Sequence, residues 1–245
     1  MENRYKLRSN QNVNILPIGD FHIGVNNFNR DFFESMLERI SALDKKRIYL
    51  MGDLLDTATK RVGNSAFETN MSLEKAREYL IDSLEPFKKD IICYCRGNHE
   101  NRQVKDYGYD IVADISRELD TMPVHSNIDE FQINDFTFSV FTRHGKGSSK
   151  NSPLAMNKLL RETQDIVADL YLEGHNHRLT FFNQIKNTSD GYKRVYYGHT
   201  GAFLDYKGSY AEAQYLPMEP ASWQCIAVNK NRIVKSNQYF DDGLF

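Results

Sequence analysis

Apolar positions along this chain fall into short runs, and their spacing changes from one stretch to the next. Val13–Ile18, Arg47–Met51 and Asp90–Cys95 each hold an apolar run of the length of a buried strand. Between them, Arg30–Leu43 and Ser72–Phe87 repeat apolar positions at helical spacing, and Asp106–Leu119 does so beyond the third strand. Strand and helix in alternation predict parallel strands with helices packed outside them.

The second half is richer in strands. Phe131–Asn134 and Phe136–Thr142 alternate about a tight turn at Asn134-Asp135, which predicts a hairpin. Pro153–Asp169 predicts a helix, with Ser152 as N-cap and Pro153 at the first helical position. Leu170–Glu173, Thr180–Lys186 and Tyr192–Tyr197 predict three more strands, the last two joined through a Ser189-Asp190-Gly191 turn. Trp223–Val228 and Ile233–Tyr239 form a closing hairpin across Asn229-Lys230-Asn231. The expected fold class is α/β, two packed mixed sheets flanked by helices in a four-layer αββα sandwich. With no internal repeat or low-complexity segment, residues 1–245 are expected to be a single domain, with 203–245 as a C-terminal extension closing the second sheet.

Composition narrows the setting. Hydrophobic residues make up 40% and charged residues 26% of the 245 residues, an ordinary globular balance. No apolar run approaches the ~20 residues of a membrane span, and the start Met1-Glu2-Asn3-Arg4-Tyr5-Lys6 lacks the apolar core of a signal peptide. A cytoplasmic protein with no membrane partner is expected. The three cysteines, Cys93, Cys95 and Cys225, make no disulfide framework. Cys93 and Cys95 share one strand face, where buried packing is favoured over a metal role. Net charge is -2, so the chain as a whole carries no electrostatic footprint for nucleic acid. Bound divalent cations would reverse that sign locally.

The chemistry sits in five short motifs, each just after a predicted strand: Gly19-Asp20-Phe21-His22, Gly52-Asp53-Leu54-Leu55-Asp56, Gly97-Asn98-His99-Glu100, His144-Gly145 and Gly174-His175-Asn176-His177. Ligands in α/β folds collect beyond the carboxyl ends of strands, so these turns can converge. Imidazole, carboxylate and amide oxygen without thiolate favour manganese, iron or zinc. Each motif alone fits a capped turn or a polar loop. Together, in this order and with five of the seven histidines inside them, they point to a metal centre.

This set resembles the calcineurin-like metallophosphoesterase family, whose pattern is D-x-H, G-D-x-x-D, G-N-H-[DE], H and G-H-x-H in that order. The match covers about residues 14–200. The resemblance implies two divalent metal ions per chain, manganese first, with iron and zinc as alternatives. Asp20, His22 and His177 would hold one ion, Asn98, His144 and His175 the other, and Asp53 would bridge both. His99 would face the substrate as a catalytic acid with Glu100 orienting it, and Asp56 would support the loop behind Asp53. Ions roughly 3.5–4 Å apart can share a water, lower its pKa and aim it in line at phosphorus, while His99 protonates the leaving alkoxide.

Substrate contacts are expected from Arg102, Arg143, Lys146 and His199. Arg143 and the loop Lys146-Gly147-Ser148-Ser149-Lys150 read either as a phosphate clamp or as a solvated connection. His199 reads as cleft lining or as a structural polar group, Arg102 as a phosphate contact or a helix cap, and His125 as a surface residue. The first two blocks resemble those of repair exonucleases in the family, which favours a phosphodiesterase or nuclease and makes nucleic acid a candidate substrate. Arg96-Gly97-Asn98-His99-Glu100 matches the serine/threonine phosphatase block, yet Asp56 is followed by Thr57-Ala58 where those enzymes carry Arg-Gly. A phosphomonoesterase or protein phosphatase is therefore the alternative, and a non-catalytic binding protein ranks last because no ligand position is lost.

Overall fold

A computed structural model of the protein describes residues 4–57, 69–147, 152–188, 191–207, 209, 212 and 219–241. One six-stranded sheet runs, in spatial order, β12 (Val234–Phe240), β11 (Ser222–Asn229), β2 (Asn12–Ile18), β3 (Lys46–Leu50), β4 (Ile91–Cys95) and β5 (Pro123–Val124). The other runs β1 (Arg4–Tyr5), β6 (Ser126–Ile133), β7 (Phe136–Arg143), β8 (Leu170–Glu173), β10 (Gly191–Thr200) and β9 (Leu179–Thr188). The helices are α1 (Arg30–Ser41), α2 (Leu73–Leu84), α3 (Glu100–Tyr107), α4 (Ile111–Glu118) and α5 (Ser152–Glu162). No helix among the described residues is long and apolar enough to cross a membrane.

Strand periodicity builds the four layers. On β2, Val13 and Ile15 face the inter-sheet core, while Leu16 and Ile18 face the helices. Phe33, Met36 and Ile40 of α1, Leu80 and Leu84 of α2, and Ile111 and Ile115 of α4 close that helical side. Phe131, Phe138, Val140, Leu170 and Leu172 supply the second sheet's half of the inter-sheet core. Its other face carries Phe141, Tyr171 and Tyr197, packed with Leu159 of α5. Strands β2 to β5 are parallel, as the alternation of strand and helix requires. Cys93 and Cys95 lie buried and free on the inter-sheet face. A register shift between Ile48 and Tyr49 pairs them with Ile91 and Cys93, and so leaves Ile92 as the extra residue of a bulge.

The C-terminal hairpin β11–β12, expected to close the second sheet, instead extends the first, with β11 antiparallel to β2. Three helix expectations also need correction. The segment Asp106–Leu119 is two helices, because Gly108 takes the left-handed conformation (φ 68°) that closes α3 and Asp110 then caps α4 through Ala113 N–H at 3.0 Å. The helix expected to reach Phe87 ends at Leu84 and tightens into a 3-10 segment, Glu85–Asp90, since Pro86 has no N–H for another α-helical bond. The helix expected to reach Asp169 stops at Glu162. There Thr163 donates its hydroxyl back to Leu159 O at 2.7 Å, and the Tyr171 hydroxyl ties the following turn through Ala168 N–H and Ile166 O. The Ser152 cap, the Ser189-Asp190 turn and loop residues Ser148, Ser149 and Lys150 lie outside the described residues or side chains.

Candidate metal centre

The loops after β2, β3, β4, β7 and β8 meet beyond the carboxyl ends of their strands. Backbone bonds zip the first two together: Asp20 N–H donates to Gly52 O at 2.9 Å and His22 N–H to Asp53 O at 3.0 Å. Asp20, His22, Asp53, His175 and His177 all have positive φ, between 49° and 69°, a region that costs a non-glycine residue of order 1–3 kcal/mol. Strain gathered on five side chains of one cluster indicates that their placement, and not local backbone comfort, is what the fold maintains. The third loop adds a close approach. A Cβ on Gly97 would stand 2.2 Å from Asp53 N, Asp53 Oδ1 and Glu100 Oε2, so only glycine fits.

The donor atoms converge in overlapping groups. Asp20, His22 and His177 offer ligand atoms within 4.8 Å of one another, as do Asp53, His144 and His175, and as do His22, Asp53 and His99. His22 Nε2 lies 3.0 Å from His177 Nε2, and His144 Nε2 lies 3.2 Å from both His175 Nδ1 and Asp53 Oδ2. Asn98 Oδ1 is 3.1 Å from the same His144 nitrogen. His144 Nδ1 donates to the Met51 carbonyl at 2.7 Å, which fixes the tautomer and leaves Nε2 facing the cluster.

These residues fit a cation pair. Asp20 Oδ1 is buried without a hydrogen-bond partner among the described residues, an orphaned acceptor that a cation would satisfy. Facing imidazole nitrogens likewise need a proton or a cation between their lone pairs. Protons fill that role in part here. Burial alone would lower His144, but the hydrogen bond to Asp53 and its charge push it up to about 10. Burial would raise Asp53, and the same hydrogen bond holds it well below the ordinary carboxylate value. Burial, then the imidazoles of His99 and His177, hold His22 well below the usual histidine range, so it stays neutral and free to donate a lone pair.

The roles of Glu100 and Asp56 are exchanged relative to expectation. Glu100 does not support His99. Its buried carboxylate accepts from Leu54 N–H at 2.6 Å, Asp53 N–H at 3.1 Å and Tyr94 O–H at 2.9 Å, so it braces the loop that presents Asp53. Burial, then the charge of Asp53, push Glu100 up to about 7. Asp56 holds His99 instead, with Oδ1 2.7 Å from Nδ1. The Thr57 hydroxyl donates to the His99 carbonyl, and His99 N–H donates to Asp53 Oδ1 at 2.8 Å.

The four expected substrate contacts separate. Arg102, one turn along α3 from His99, lies across the imidazole with Nη1 3.1 Å from Nδ1 and Nη2 3.0 Å from Nε2. The guanidinium thus reaches both ring nitrogens, and its Nη1 also lies 3.6 Å from Asp56 Oδ1, so Arg102 is tied to the His99–Asp56 pair. Arg143 is not a free clamp: it pairs with Glu162 at 2.8 Å and with buried Glu173 behind the His144 turn. His199 is buried, its Nδ1 3.1 Å from Thr180 Oγ1 and its Nε2 3.7 Å from Glu173, which makes it a structural group and not cleft lining. Lys146 and His125 are exposed. Tyr94, Thr57 and Glu173 escape the sequence reading, because within strands or beside a motif they carry no spacing signal.

The calcineurin-like phosphoesterase model matches residues 13–218. A metallophosphoesterase from Sphaerobacter thermophilus superposes with a TM-score of 0.50 at 16% identity, covering 93% of this chain and 89% of that one. A Vps29 variant from Entamoeba histolytica gives 0.44 at 14% identity, covering 94% and 99%. Nuclease MPE from Pseudomonas putida gives 0.37 at 17% identity, covering 91% and 87%. No curated protein matches the sequence significantly. With its five motifs gathered at one site and the family model spanning most of its length, the chain belongs to the calcineurin-like phosphoesterase family.

Proposed function

We propose that this protein is a metal-dependent phosphodiesterase, with nucleic acid among its candidate substrates, acting from the cytoplasm as a single domain. The observation that carries the reading is the complete donor set around Asp53 with one further imidazole, His99, anchored on its own carboxylate. Asp20, His22 and His177 would hold one divalent ion and Asn98, His144 and His175 the other, with Asp53 between them. Manganese, or iron or zinc, would supply Lewis-acid stabilisation of phosphoryl oxygens and an acidified water.

The chain's own residues do the rest. Asp56 holds Nδ1 of His99, so a proton on Nε2 is aimed away from that carboxylate and is available to a leaving alkoxide. Glu100 and Gly97 fix the position of Asp53. Two observations favour a diester, which carries one negative charge, over a dianionic monoester. Arg143 is committed to two glutamates, and among the described residues Arg102 is the one guanidinium in contact with His99. The buried free thiols of Cys93, Cys95 and Cys225 support a reducing compartment.

The test is a substrate panel with manganese: bis-p-nitrophenyl phosphate, p-nitrophenyl phosphate, single- and double-stranded DNA, and a phosphopeptide. Faster turnover of diesters than of monoesters is expected. Preference for the phosphopeptide would move the assignment to a protein phosphatase, and no turnover of any ester would move it to a binding protein.

A further inference from the structure

A second site lies at the other end of the second sheet. It is a cavity of about 450 Å³ at the amino end of β8, against Asp169, whereas His175 and His177 follow the carboxyl end of that strand. The six residue steps from Asp169 to His175, at ~3.3 Å each when extended, set the two sites on the order of 20 Å apart.

Its walls follow from register. Tyr192, Arg194 and Tyr196 alternate on β10 and so share a face, and Asn183 and Ile185 of β9 stand opposite Tyr196 and Arg194. Phe181 stacks on Tyr196 with centroids 5.8 Å apart and planes 16° from parallel. Tyr192 is 83% exposed at the lip, a large aromatic ring left in water. The far wall comes from the first sheet's β11–β12 turn, through Arg232 and Ile233.

The charge is one-sided. Three cations line the cavity, Lys193, Arg194 and Arg232, against one carboxylate, Asp169. Asp169 takes Lys193 at 2.9 Å and Arg232 at 3.1 Å, while its other oxygen accepts from Ser139. Arg194 has no ion-pair partner among the described residues. On a chain of net charge -2, this pocket is locally cationic and aromatic.

We propose that this cavity binds a nucleotide unit, a planar base attached to a phosphate, with Tyr192 supplying a stacking face and Arg194 the phosphate contact. The unit comes either from a free nucleotide or from a segment of single-stranded nucleic acid. The site is independent of the metal centre and does not need the proposed activity.

Equilibrium binding of AMP, adenosine, inorganic phosphate, a ten-residue oligothymidylate and a glutamate-rich peptide is measured on the full chain, in manganese and again in chelator. AMP should show a binding term that survives chelation, with adenosine and phosphate each at least ~10-fold weaker because each fills half of the site. Tyr192→Ala and Arg194→Glu should each weaken that term ~10-fold or more, with melting temperature unchanged and turnover of bis-p-nitrophenyl phosphate within about twofold. An oligomer binding much more tightly than AMP identifies a strand as the source, and equal binding identifies a free nucleotide. The inference is overturned if no AMP term survives chelation, if both variants leave that term unchanged, or if the acidic peptide binds in place of AMP.

Discussion

The carboxylate of Asp56 lies 2.7 Å from Nδ1 of His99, joining the loop after β3 to the start of α3 behind the metal centre. If the pair delivers a proton, Asp56→Asn should keep its metals and lose rate most for poor leaving groups. A loss of roughly 10–100-fold is expected for an alkoxide, short of the ~100–10,000-fold that removing a positioned acid costs in His99→Ala. Nitrophenyl esters, which leave without a proton, should be affected far less. Glu100→Gln should behave differently: the amide places an NH₂ group against backbone donors, costing about 1–3 kcal/mol of stability and loosening Asp53. A leaving-group series with metal content on the same preparations separates the two. Equal losses across the series for Asp56→Asn would mean that His99 positions phosphate or metal.

Metal removal should be readable without any substrate. An ion that binds only the folded chain adds about 2.7 kcal/mol at a hundred times its Kd, or roughly 5–10 °C in melting temperature for a domain of this size. Titration with manganese should therefore raise the melting temperature and saturate at two ions per chain. Asp53→Asn should abolish most of the shift because both ligand groups around it lose a shared carboxylate. Saturation at a single ion with full activity would contradict the paired site.

Arg143 gives a test of structure against substrate contact. Its guanidinium neutralises Glu173, whose side chain is 1% exposed, and also meets Glu162. Arg143→Ala leaves Glu173 buried without its main cation, a loss on the order of 3–5 kcal/mol. Lys146→Ala, on an exposed loop, should stay within about 0.5 kcal/mol of wild type. Chemical denaturation of both variants decides it: an Arg143→Ala protein of normal stability and raised KM would restore the clamp.

The candidate metal-binding residues were legible because their chemistry is carried by residue type and by position just after an apolar run. Asp20, His22 and Asp53 need no tertiary knowledge to be singled out. The partners of those residues were not legible, since Glu100 reaches back 46 residues to Leu54 N–H and Asp56 reaches forward to His99. Both carboxylates stand in the right motifs, and only the path of the chain decides which one meets the imidazole. The break between α3 and α4 is a different case. Gly108 and the capping residue Asp110 are visible in the sequence, but the apolar spacing on either side reads through them.

Gly97 is where the close packing of the first three loops can be tested with one methyl group. A Cβ there would stand 2.2 Å from Asp53 N, Asp53 Oδ1 and Glu100 Oε2, and none of these is the free end of a flexible chain. Asp53 N–H is bound to Glu100, and Asp53 Oδ1 accepts from His99 N–H. Relief therefore requires moving the loop after β3 away from the loop after β4, which carries Asp53 off the other ligands. Gly97→Ala should lose manganese affinity by more than tenfold, the scale on which disturbing a ligand's support acts. Gly108→Ala is the control: nothing lies within 4 Å of its added Cβ, but its φ of 68° makes the change cost about 1 kcal/mol. That variant should melt slightly lower and bind metal normally. Calorimetric titration with manganese and thermal melting on both proteins separate a local backbone cost from displacement of Asp53. If Gly97→Ala bound two ions with unchanged affinity, the loops would not be held as closely as the structure places them.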